Sequence, residues 1–132
     1  MIVVLDTNIL ISAIFWRGNP YKILQQGLKK NYSLYLSSAI LNELEEKLRI
    51  KFGLPQDKIE EHIQILTEYG NIIKPIVKLN AVKDDPGDDK ILECAISCKA
   101  DYIVSGDNHL LELKEFRGIK IITAIQFLDL IK

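Results

Sequence analysis

Four acidic side chains, Asp6, Glu43, Asp89 and Asp107, stand where a folded α/β chain would do chemistry. Asp6 directly follows the apolar run Ile2-Val3-Val4-Leu5, and Asp107 closely follows Tyr102-Ile103-Val104-Ser105; both runs read as buried strands. In an open α/β sheet, ligands bind outside the carboxyl ends of the strands, so acids placed there can meet. Glu43 falls in the second turn of the helix after the second strand, and Asp89 in the first turn of a later one. Both can lean over the same edge. Carboxylates brought close disfavour each other's ionisation unless a cation stands between them. All-oxygen donors suit Mg²⁺ or Mn²⁺, one ion or two, and the Cys/His set that Zn²⁺ prefers is absent. Such a centre suits phosphodiester hydrolysis, with carboxylates holding the ion and helping to take a proton from the attacking water.

Each acid also has a plain structural use. Asp6 would cap a helix opening near Asn8, as would Thr7 or Asn8. Glu43 lies on a charged helix face, and Asp107 would cap the helix after it. Asp88 and Asp89 suit a helix N-terminus through the dipole, whatever else they do.

The elements that must position these residues alternate in type. A short helix over residues 8–15 follows the first strand, and Arg17-Gly18-Asn19-Pro20 breaks it. Asn19 as N-cap and Pro20 at the first helical position predict a helix to about Lys30. A strand over 33–36 leads to Ser37 and Ser38, candidate caps of a helix that runs to Phe52 and closes at Gly53. Pro55 opens the next helix, to about Tyr69, completing an αα-hairpin. Residues 72–77 read as a strand that Pro75 confines to an edge. After the loop signal Asp84-Asp85-Pro86-Gly87 come a helix over 88–99, a strand over 102–105, a short helix over 108–113, the strand Ile119–Ile122 and a last helix from Thr123. The pattern, without hairpin turns, predicts a three-layer α/β/α fold around a mostly parallel sheet of about five strands.

At 132 residues the chain is expected to be a single domain over 1–132. With 48% hydrophobic and 27% charged residues it has a globular composition, and no apolar run is long enough to span a bilayer. No basic segment precedes the apolar start, so that run is expected to be structural rather than a leader. The net charge of −1 excludes a bulk basic field, although a carboxylate cluster would leave the remaining surface net basic. Cys94 and Cys98, at i and i+4, share a helix face that rarely suits a disulfide, and are expected to be buried thiols in a reducing cytoplasm.

Taken in order, V-L-D-T-N, a glutamate in the third helix, D-P-G-D-D-K-I-L-E-C-A and Y-I-V-S-G-D-N-H-L-L resemble the PIN domain over essentially the whole chain. That family comprises small α/β nucleases related in fold to flap endonucleases, many of them toxins of toxin–antitoxin pairs. The resemblance implies Asp6, Glu43, Asp89 and Asp107 as the catalytic and metal-binding acids, with Asn8 and Ser105 in support. Asp89 is preferred over its neighbours Asp88 and Asp85 by the apolar phase that follows it. The resemblance further implies Mg²⁺- or Mn²⁺-dependent cleavage of RNA, an antitoxin protein as partner and a homodimer. Phosphate contacts would then fall to Arg17, Lys22, Lys29, Lys30, Arg49 and Lys51. His109 is expected to be a surface histidine. Phe15 and Trp16 are read as core or dimer packing, with base stacking as the alternative.

Two other readings compete. A metal-dependent phosphatase with an aspartyl nucleophile would want a second aspartate two residues beyond the first, where this chain has Asn8. A non-catalytic PIN-like module would bind RNA or protein while retaining the acids.

Overall fold

Val3 and Val4 are adjacent and so leave their strand on opposite faces, yet neither retains any exposure; the same is true of Ile103 and Val104. The sheet is therefore covered on both sides at its centre. The computed structural model describes residues 1–79 and 86–131, with residues 86–88 described by their helical backbone alone. Asp84, Asp85 and the side chain of Asp88 lie outside the described residues.

The chain runs β1 (Ile2–Leu5), α1 (Thr7–Phe15), α2 (Asn19–Leu28), β2 (Ser33–Ser37), α3 (Ser38–Glu46), a π turn (Lys47–Lys51) and α4 (Gln56–Tyr69). It continues through β3 (Asn71–Ile73), α5 (Pro86–Ser97), β4 (Tyr102–Val104), α6 (Asn108–Leu111), β5 (Glu115–Phe116), β6 (Ile119–Ile122) and α7 (Ala124–Ile131). The six strands are ordered β3-β2-β1-β4-β6-β5, all neighbours parallel except β5 and β6. From β1 the chain moves outward to β2 and β3, then returns to β4 on the other side of β1. The order reverses between β1 and β4, and that crevice is where such sheets bind ligands.

The expected architecture holds, with differences at its margins. The sheet has six strands rather than about five, because Arg117 and Gly118, both at positive φ, close a β5–β6 hairpin that alternation alone did not predict. The third strand is shorter than expected: β3 pairs with β2 only as far as Ile73, leaving Pro75 beyond the ladder. Gly18, not Asn19, is the N-cap of α2, so Pro20 falls at its second position. Helix α5 starts at Pro86, two residues earlier than predicted. Thr123 and Gln126 exchange side-chain and backbone hydrogen bonds as a capping pair ahead of α7.

One difference bears on the site. The stripe Leu41, Leu44 and Leu48 predicts an unbroken helix to Phe52, but its last turn is a π turn in which the Phe52 N–H donates to the Lys47 carbonyl at 3.2 Å. Leu44 and Leu48 stay fully buried across the change. Phe52 stacks on Phe15 of α1 with centroids 4.8 Å apart, and Gly53 reverses the chain at φ 64°. Phe15 thus packs as expected, while Trp16 is left 60% exposed.

Ser37 ends β2 and begins α3 in one step: its buried Oγ accepts from the Ile40 N–H at 3.1 Å. That cap sets the direction in which α3 carries Glu43. Ser37→Ala is expected to cost about 1 kcal/mol of stability in urea unfolding; an unchanged midpoint would show that the cap does not hold α3.

Candidate active site

Strand register, not chain proximity, builds the site. Leu5 pairs with Val104, and one step further the Asp6 N–H donates to the Val104 carbonyl at 3.0 Å. Asp6 is thereby set beside Ser105, 99 residues away, and Ser105 Oγ donates to Asp6 Oδ2 at 2.7 Å. The same hydroxyl oxygen accepts from the Asp107 N–H at 2.9 Å. One buried serine therefore fixes both the first aspartate and the turn carrying the last. On the other side Val4 pairs with Tyr35, so Asp6 is level with Ser37, from which α3 departs with Glu43. Thr7, buried at the start of α1, donates from Oγ1 to Glu43 Oε2 at 3.2 Å.

Asp6 is only 5% exposed. Burial pushes its carboxyl above the ordinary aspartate range; the Ser105 hydrogen bond opposes this, and repulsion from Asp107 and then Glu43 adds to it. The Asn8 amide also lowers it, without closing a cap hydrogen bond. Asp107 and Glu43 thus both lie close enough to Asp6 to oppose its charge. Asp107 also caps α6, its Oδ1 accepting from the N–H groups of His109 at 2.7 Å and Leu110 at 3.4 Å. The cap expected of Asp107 is therefore present. His109 is exposed, as expected, with Nδ1 3.7 Å from the same oxygen.

Asp89 is buried in the early part of α5. That helix packs on β1, β2 and β4 and feeds directly into β4, so its beginning lies at the edge where the strands end. Among the described residues, no three acidic, histidine or cysteine side chains are drawn tightly enough together to chelate an ion as they stand. The donor chemistry nevertheless fits a hard divalent cation: oxygen atoms alone, and a buried carboxylate whose charge two others oppose. Lys47, which the sequence did not single out, reaches the same place, its Nζ lying 3.3 Å from Glu43 Oε1 and donating to Asn8 Oδ1 at 3.4 Å. Thr7, too, reads from the sequence only as a possible cap. A polar residue directly after the strand-ending acid was the available signal.

The candidate phosphate-binding cations divide. Arg17 donates to the Tyr21 hydroxyl at 2.6 Å and lies over its ring, and Arg49 pairs with Glu45 at 3.7 Å. Lys22 is exposed, and Lys51 borders a hollow of about 240 Å³ beside Glu43. Lys29 and Lys30 follow α2 just before β2 begins, which puts them at the opposite end of the sheet from the acids; Lys30 donates to the Tyr69 carbonyl. The expectation that they serve the site is corrected by the topology. A larger groove of about 450 Å³ between Glu45 and α4 includes none of the candidate acids.

An open, mostly parallel sheet with carboxylates gathered outside its two central strands defines an α/β domain with an acidic centre. The chain belongs to the PIN-domain family, whose sequence profile matches residues 2–109. PIN domains are generally nucleases and typically use divalent metals. Similar solved structures include VapBC2 from Rickettsia felis bound to a DNA fragment from its promoter, with a TM-score of 0.68 at 20% identity over 93% of this chain and 98% of that one. VapBC-1 from nontypeable Haemophilus influenzae gives 0.67 at 22% identity over 95% and 99%, respectively. PAE2754 from Pyrobaculum aerophilum gives 0.63 at 14% over 98% and 88%. No curated protein sequence matches significantly. No described helix is long and apolar enough to cross a membrane.

The raised Asp6 pKa carries a stability consequence. The fold favours the neutral acid, so ionisation destabilises it: the penalty is absent below the unfolded-state value of about 3.9 and complete above the raised folded value. Asp6→Asn is therefore expected to raise the thermal midpoint at pH 7 in chelator, with the gain shrinking as pH falls towards 4. A gain independent of pH would show that the Asp6 charge is not its source.

Proposed function

We propose that this protein is a Mg²⁺- or Mn²⁺-dependent endoribonuclease and the toxin of a toxin–antitoxin pair, formed by the single domain spanning residues 1–132. The observation that carries this reading is the convergence of Asp6, Glu43 and Asp107 at the β1/β4 crevice, with Asp6 buried and electrostatically opposed by the other two. The PIN-domain family supports the nuclease chemistry, and similarity to the VapBC structures supports the toxin role.

In this reading Asp6, Glu43, Asp89 and Asp107 hold the ion or ions, with Asp6 more deeply buried than Asp107. Ser105 and Thr7 hold the Asp6 and Glu43 carboxylates in place through their hydroxyls. Asn8 presents its carbonyl oxygen at the mouth of the site. When bound there, a divalent ion supplies the Lewis acidity that activates water and offsets charge on the phosphoryl oxygens. A carboxylate of the cluster takes the proton released as water attacks phosphorus. Lys22 and Lys51 supply phosphate contacts, with Arg17 and Arg49 joining them after exchanging their internal partners. Exposed Trp16 beside the Phe15–Phe52 stack serves the homodimer or the antitoxin.

The decisive experiment is cleavage of single-stranded and structured RNAs with Mn²⁺ by the native protein, Asp6→Asn and Glu43→Gln. Both substitutions are expected to lower the rate about a hundredfold or more. Cleavage that survives both would remove the acids from catalysis. No cleavage of any RNA by the folded native protein would favour the binding-module reading. Light scattering at micromolar concentration is expected to give a dimer, and a monomer would overturn that part of the proposal.

A further inference from the structure

Both oxygens of Glu43 are engaged within the protein. Oε2 accepts from Thr7, and Oε1 faces the Lys47 ammonium at 3.3 Å. The same ammonium donates to Asn8 Oδ1 at 3.4 Å, bridging α3 to the start of α1 across the mouth of the site. This is not an ordinary surface pair. Glu43 and Lys47 side chains retain only 18% and 32% of their exposure, and the ammonium spans two elements rather than one helix face. The π turn begins at Lys47 itself.

We propose that Lys47 is a built-in counter-cation of the acidic centre, a positioning residue that holds Glu43 and Asn8 in register and competes with a divalent ion for them. The inference rests on the reading above, that Glu43 faces such an ion. A monovalent ammonium partly relieves the repulsion among Asp6, Glu43 and Asp107, keeping the edge folded before an ion arrives. The same charge repels an incoming divalent cation, since like charges a few ångströms apart cannot both be well satisfied by one carboxylate. An arriving ion therefore displaces the ammonium. The adjoining hollow of about 240 Å³, lined by Glu43, Glu46, Lys47, Ile50 and Lys51, offers it room and a second carboxylate, that of Glu46. Lys47 thus sets the ion concentration at which the site loads.

Calorimetric titration with MnCl₂ alone, without RNA, tests this. Lys47→Met is expected to bind Mn²⁺ about tenfold more tightly than the native protein at low ionic strength. Lys47→Arg, which keeps the charge, and Lys120→Met, which removes an exposed lysine beside Met1 at the other end of the sheet, are expected to stay near native affinity. Circular dichroism and the urea midpoint verify that each variant is folded. Glu43→Gln separates the two levels of inference. If Glu43→Gln weakens Mn²⁺ binding while Lys47→Met leaves it unchanged or weaker, the counter-cation role is overturned and the site reading stands. If Glu43→Gln leaves Mn²⁺ binding unaltered, Glu43 is not an ion ligand, and both fall. Arginine and methionine variants that bind Mn²⁺ equally would also overturn the role, because charge would then not be its basis.

Discussion

Mutual repulsion of carboxylates at one edge of a sheet is the constraint around which this molecule is arranged. Asp6 is buried between strands, and Asp107 and Glu43 both raise the cost of its charge. Each acid is therefore held by a specific donor: Ser105 on Asp6, Thr7 and Lys47 on Glu43, and the first amides of α6 on Asp107. Buried charge is tolerated only where hydrogen bonds or a counter-charge replace lost water. The donors also fix geometry. A carboxylate tied by one oxygen keeps the other in a defined direction, which is what a preorganised reaction centre requires.

The topology puts those donors within reach. Because β1 is central and β4 adds on the side away from β2, the chain segments after β1 and β4 flank one crevice. The register Leu5 to Val104, extended by one backbone hydrogen bond, brings Asp6 and Ser105 together across almost the whole sequence. Sheet hydrogen bonds are rigid and their spacing is invariant, so a site built on strand ends is more exact than one built on loops alone. Glu43 depends on a second device, the Ser37 cap that turns β2 directly into α3.

Much of this was legible in residue order, and the exceptions have physical causes. Continuous apolar runs and helical patterning located the central strands and most helices, because burial of apolar residues is a local property of the sequence. The β5–β6 hairpin was missed because two-residue strands carry almost no pattern, although Arg117-Gly118 is a usable turn signal. The π turn was missed because Leu44 and Leu48 keep helical phase through it, and only hydrogen-bond partners distinguish the two. Lysines 29 and 30 looked equivalent to the other cations until the direction of α2 carried them to the far edge.

By itself the sequence singled out the candidate site residues: strand-ending acids with oxygen-only donors around them, set in an alternating α/β chain. These follow from side-chain type and local periodicity, which require no knowledge of the fold. Tertiary structure alone decided which groups meet. That Ser105 serves Asp6 and Asp107 together, that Thr7 reaches Glu43, and that Lys47 bridges to Asn8 are consequences of strand register and helix direction. Those contacts join residues between 36 and 99 positions apart, except within the Ser105 turn. Electrostatic coupling depends on distance in space, and distance in space is what a linear pattern does not contain.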